Sequence, residues 1–142
     1  MTIRLFKENG AGAHFEWYKK AASEAFTFND IVGINTDGFL TKYLDGSAFP
    51  MIGLIQQTIA SSSATTVKVP VLVAGHEAEY LCDVSTGTAA QTDVGEYIDV
   101  DDSNSVDVDA STNDDFYVTQ FISATLVVAK MTRKVVGELT PE

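Results

Sequence analysis

Gly95-Glu96-Tyr97-Ile98-Asp99-Val100-Asp101-Asp102-Ser103-Asn104-Ser105-Val106-Asp107-Val108-Asp109 is the stretch that decides the fold. Ile98 and Val100 stand two apart, as do Val106 and Val108, while Asp99, Asp101, Asp107 and Asp109 fill the intervening positions. Side chains of a strand alternate between its faces, so this pattern predicts a hairpin with one apolar and one acidic face, turned by Asp102 to Ser105.

Outward from the hairpin, the punctuation is all of the β kind. Thr36-Asp37-Gly38 and Asp45-Gly46 supply the positive-φ residues of tight turns, and Ser61-Ser62-Ser63 and Ser85-Thr86-Gly87-Thr88 read as polar loops. Val67, Val69, Val71 and Val73 alternate with Lys68, Pro70 and Leu72, which predicts a strand with one core face. Pro70 lacks an N–H, so that strand is expected at an edge or a bulge. Phe116 to Phe121 and Ala124 to Met131 form a last pair. In 14–25, Phe15 and Trp17 suit a strand whereas Phe15, Tyr18 and Ala22 suit a helical stripe; a short strand leading into a loop is the preferred reading. The expectation is an all-β chain, a compact antiparallel barrel or sandwich of about eight to nine strands with an extended N-terminal arm. The arm is residues 1–13, joined by Gly10-Ala11-Gly12-Ala13, the barrel domain 14–131, and a polar tail 132–142.

Charge is segregated along the chain. Four of the nine Lys and Arg (Arg4, Lys7, Lys19, Lys20) lie in residues 1–20 and three (Lys130, Arg133, Lys134) in 129–142, whereas residues 21–128 hold 16 of the 20 carboxylates. The net charge of −11 disfavours nucleic acid and anionic lipid as partners, since binding there requires clustered cations. No apolar run approaches the roughly 20 residues of a membrane span, and the first ten residues lack the apolar block of a secretory signal, which points to synthesis in a cytoplasm. Cys82 is alone, so neither an intrachain disulfide nor a cysteine metal cluster is expected, and it reads as a small core residue.

Chemistry-bearing motifs do not emerge. An EF-hand loop begun at Asp99 would put Asn104 where glycine is needed and Ala110 where the bidentate Glu belongs; one begun at Asp107 would put Thr112 and Val118 there. A solvated acidic face is the better reading, and no sugar platform supports these carboxylates as a glycosidase pair. His14 and His76 are far apart, and neither a nucleophile elbow nor a phosphate loop occurs. The sequence therefore predicts no catalytic, metal or cofactor residues. Aromatic residues and Arg are the types enriched at interface centres, which makes Ile3, Arg4, Leu5, Phe6, Lys7, Phe15, Trp17, Lys19 and Lys20 the candidate partner contacts. Among them Ile3 to Lys7 form an arm able to add to another sheet edge, whereas core packing is preferred for Trp17.

Lys20-Ala21-Ala22-Ser23-Glu24-Ala25-Phe26, Asn29-Asp30-Ile31-Val32, Asp37-Gly38-Phe39-Leu40 and Met51-Ile52-Gly53-Leu54, with Val69-Pro70-Val71-Leu72-Val73 and Phe116-Tyr117-Val118-Thr119 further on, resemble the small β-barrel decoration, or cement, proteins of tailed-bacteriophage heads. The resemblance covers most of 20–130 and rests on hydrophobic pattern and turn placement. It implies a non-enzymatic virion protein on the outer capsid surface, binding the major capsid protein at lattice junctions, often as a homotrimer, and stabilising the shell. A head-fibre base, neck or tail component is the alternative. A carbohydrate-binding β-module is the second, with Tyr43, Tyr80, Tyr97 and Tyr117 to build its platform. In the decoration reading the acidic hairpin points away from the partner and the arm towards it.

Overall fold

Ile31-Val32-Gly33-Ile34 and Met51-Ile52-Gly53-Leu54-Ile55 are apolar throughout, which suits strands buried on both faces. In the computed structural model, which describes residues 1–10, 12–74 and 77–132, these two strands lie between two cores. Ile31, Met51 and Leu54 enter the larger core, while Val32, Ile52 and Ile55 enter the smaller. A bulge makes this possible. Val32 lies opposite Gly53 and Gly33 opposite Met51, leaving Ile52 as an extra residue that resets the alternation. The glycines mark backbone crowding: a Cβ on Gly53 would stand 2.1 Å from the carbonyl oxygen of Leu72, and one on Gly33 2.3 Å from that of Pro50.

Eleven strands form among the described residues: β1 (Ile3–Lys7), β2 (His14–Lys19), β3 (Ile31–Ile34), β4 (Leu40–Lys42), β5 (Met51–Ile55), β6 (Lys68–Val73), β7 (Glu79–Thr86), β8 (Tyr97–Asp102), β9 (Ser105–Asp107), β10 (Phe116–Ser123) and β11 (Leu126–Met131). One five-stranded sheet runs β2-β6-β5-β3-β4, and a parallel bridge from Lys20 to Leu40 closes it into a barrel around Phe26, Val32, Leu40, Ile52, Ile55, Val69 and Val71. The other sheet runs β1-β7-β11-β10-β8-β9, and β9 returns to pair in parallel with the end of β7. The chain is all-β, as its punctuation predicts.

Residues 3–7 are not a free arm. β1 pairs antiparallel with β7, Ile3 opposite Cys82, and Ile3 is fully buried in the larger core. The domain boundary at residue 14 therefore fails, and the additional strands raise the count above eight or nine. Pro70 is not on an edge strand either. β6 lies between β2 and β5, and the Pro70 carbonyl accepts the N–H of Gln56 just past the end of β5, so the missing donor falls where that ladder stops. The 133–142 part of the tail and His76 lie outside the described residues.

The hairpin β8–β9 forms where expected, with Ile98, Val100, Val106 and Val108 buried. Its acidic face is not uniformly solvated. Asp99 is buried, covered by the loop that follows Ala110. The turn is also docked: Ser103 is buried and its carbonyl accepts the N–H of Ile31 at 2.7 Å, tying the second sheet to the first. Asp115 makes the second tie, accepting the Tyr43 hydroxyl at 2.6 Å and the Val100 N–H at 3.0 Å from deep in the interior.

Candidate interaction face

The nine candidate contact residues separate into an interior set and an outward set. Ile3 is core, Leu5 packs against the core, and Arg4 hydrogen-bonds Thr2 and lies 3.6 Å from Asp83. Lys20 is fully buried, its ammonium donating to the carbonyls of Ala21 (2.9 Å) and Ser62 (3.2 Å). A buried lysine persists only where its protons find acceptors, and here it closes the mouth of the barrel rather than meeting a partner. Phe6 is partly exposed, with the Lys7 ammonium 5.3 Å from its ring centre.

Phe15 and Trp17 are different. Each is 61% exposed, against the expectation that Trp17 packs inside. Residues two apart on a strand share a face, so Phe15, Trp17 and Lys19 project together from β2. Antiparallel pairing places Leu72 beside Phe15, Pro70 beside Trp17 and Lys68 beside Lys19. The result is an apolar ladder on the outer wall of the five-stranded barrel, ended by two lysines that make no ion pair among the described residues. Sequence assigned Val69 and Val71 inward correctly, but the same alternation places Pro70 and Leu72 on this outer face, a contribution not singled out beforehand.

Other groupings have local work. His14 donates its Nδ1–H to the Gly12 carbonyl (2.8 Å) and holds Glu16 through Nε2 at 2.9 Å. The Gly12 carbonyl, then Glu16, lifts its pKa above the usual imidazole value. It is the one histidine among the described residues, and no described serine or cysteine meets it. Cys82 is buried, and desolvation pushes its thiol far up, which makes it a packing residue rather than a nucleophile.

Carboxylate oxygens of Asp45, Asp99 and Asp115 come within 4.8 Å of one another. Protein donors already hold them: Asp99 accepts the N–H groups of Thr112, Asn113 and Asp114 at 2.9–3.0 Å, and Asp45 accepts the Asn113 amide at 2.6 Å. They act as a hydrogen-bonding hub that fixes the loop after the hairpin. A cleft of about 320 Å³ lies beside it, bounded by Asp93, Glu96, Tyr97 and Asp109 among others. The Tyr97 ring lies tilted against that of Tyr117, 5.2 Å between centroids, while Tyr43 and Tyr80 are buried, so the four tyrosines do not form one platform. Among the described residues no helix is long and apolar enough to cross a membrane. Comparison of the chain with protein-family models and with curated proteins finds no match.

Proposed function

We propose that this protein is a non-enzymatic structural component of a virion, a decoration protein that binds the outer surface of a tailed-bacteriophage capsid and stabilises contacts between major capsid proteins. The observation that carries the reading is the Phe15–Trp17 face, two large aromatic side chains exposed side by side on an otherwise acidic molecule. Large exposed aromatic residues are the type that interface centres contain, and a lone monomer gains nothing from displaying them. A shell repeats its binding sites, so modest contacts are multiplied by linkage between copies, as in a homotrimer.

The anchor in this proposal is β2, not the N-terminal segment, because β1 is built into the second sheet. Adding purified protein to undecorated, expanded heads should give co-sedimentation and raised resistance to heat. Trp17→Ala should weaken that binding by about 30-fold, the scale of a central aromatic contact, while changing stability by less than about 0.5 kcal/mol because the side chain is exposed. Failure of the wild-type protein to add at low salt refutes the role. Copy number against the major capsid protein separates decoration from a neck, tail or fibre-base position. The same exposed aromatic pair could stack on a sugar ring, and a glycan array that binds wild type but not Trp17→Ala would transfer the reading to a carbohydrate-binding module.

A further inference from the structure

The backbone of β2 offers something its side chains do not. Lys20 donates its N–H to Val67 at 3.0 Å, and the register from Lys19–Lys68 to His14–Val73 continues without a bulge. In an antiparallel pair only alternate residues bond a given neighbour. Tyr18, Glu16 and His14 are therefore in phase with β6, and the N–H and C=O groups of Phe15, Trp17 and Lys19 point to the other side. Among the described residues no strand pairs with β2 at Phe15 or Trp17: β2 ends its sheet, and the parallel bridge to Leu40 engages only its last residues, with the Ala21 N–H on the Leu40 carbonyl. β2 contains no proline, and an unprotected edge is a template for another strand.

Charge gives the occupant its chemistry. Lys19 and Lys68 stand directly opposite each other, an arrangement that is unfavourable in the lone molecule, and neither has a carboxylate partner among the described residues. Two other cations in this anion-rich chain do have carboxylates: Arg4 has Asp83 and Lys130 has Glu77. A facing lysine pair beside exposed aromatics is complementary to a segment that carries apolar residues and a carboxylate.

We propose that the edge of β2 accepts an extended strand from a partner protein, with apolar side chains beside Phe15 and Trp17 and a carboxylate held between Lys19 and Lys68. The added strand would extend the five-stranded sheet through main-chain hydrogen bonds to residues 15 and 17, with side-chain pairing setting specificity. This deepens the docking reading and rests on it only for who the partner is.

Amide hydrogen exchange followed by NMR on the full chain tests it. In the free protein the amides of Phe15 and Trp17 should exchange at least about tenfold faster than those of Glu16 and Tyr18, since only the latter are bonded to β6. The probe is a blocked peptide of alternating valine and threonine ending in glutamate. At saturation it should slow the odd-numbered amides to the rates of the even-numbered ones. Lys19→Glu with Lys68→Glu should weaken the peptide by about tenfold or more, and a peptide ending in lysine should recover it. Slow odd-numbered amides in the free protein, or no protection at millimolar peptide, overturns the proposal. If heads bind through Trp17 while those amides stay fast, docking uses side chains alone and the edge inference is wrong. If the peptide protects them but heads do not bind, the edge inference stands and the capsid reading falls.

Discussion

Replacing Asp99 by alanine should cost more than any other single change on the hairpin. The side chain is 1% exposed and accepts three backbone N–H groups, those of Asn113 and Asp114 on Oδ1 and that of Thr112 on Oδ2. A hydrogen bond to a charged acceptor contributes about 1.5–3 kcal/mol, and Thr112 and Asp114 are exposed enough for water to recover part of it, so the loss should be about 4 kcal/mol. Asparagine makes a sharper comparison. Its oxygen can keep the Oδ1 bonds while its amide meets the Thr112 N–H donor to donor, so about 2 kcal/mol should be lost. With a urea dependence of about 2 kcal/mol per molar, the midpoint should fall by about 2 M for alanine and about 1 M for asparagine. Urea titration by tryptophan fluorescence is not ideal because Trp17 is exposed, so far-ultraviolet circular dichroism is the better probe. An alanine midpoint within about 0.3 M of wild type would refute the reading of Asp99 as the organiser of the loop.

Three further outcomes follow from the packing. Gly53→Ala puts a methyl against the Leu72 carbonyl, a backbone atom that cannot swing aside, and should cost about 3 kcal/mol, read as a melting point roughly 10 °C lower. Deleting residues 2–9 removes β1 and the buried Ile3, so it should destabilise by more than about 3 kcal/mol; a truncated chain as stable as wild type would restore the free arm. Burial raises the Asp30 pKa against the opposing hydrogen bond from the Thr27 N–H. Its folded value lies above its unfolded one, so the stability it contributes is present below the ordinary carboxylate range and lost as pH rises through the folded value. Asp30→Asn should flatten that fall in urea titrations across acidic pH, and a profile parallel to wild type would show that Asp30 is not its source.

What was legible in the sequence was local. Alternation placed the β8–β9 hairpin and the inward valines of β6, and the Asp-Gly turns bounded β4, because each signal lies within a few residues of its cause. The role of β1 was not legible: its partner β7 is about eighty residues away, and nothing in Ile3 to Lys7 distinguishes an arm from a strand whose mate is distant. Asp99 and Lys20 were misplaced for a related reason. Period-two reasoning sends a polar residue to solvent, but a nest of N–H groups from 112–114 and two carbonyls from Ala21 and Ser62 bring them inside. Trp17 erred the other way, since large aromatics are usually covered and only the position of β2 on the outer barrel wall leaves it bare.

The segregated charge acquires a different meaning once these positions are known. Of the four cations in the first twenty residues, Arg4 is beside Asp83 and Lys20 is sealed in the barrel, so the N-terminal segment is not itself a basic probe. Lys7 sits over Phe6, and the paired cationic feature among the described residues is Lys19 with Lys68, which sequence separates by almost fifty residues and the β2–β6 ladder brings together. On a chain of net charge −11, this facing pair is a place among the described residues where the repulsion of an acidic surface is relieved. Orientation should therefore be selected during approach by the lysines and retained after contact by Phe15 and Trp17. The two contributions separate experimentally: added salt screens the first and should slow association with an acidic partner, whereas loss of Trp17 should speed dissociation and leave the salt dependence of association in place.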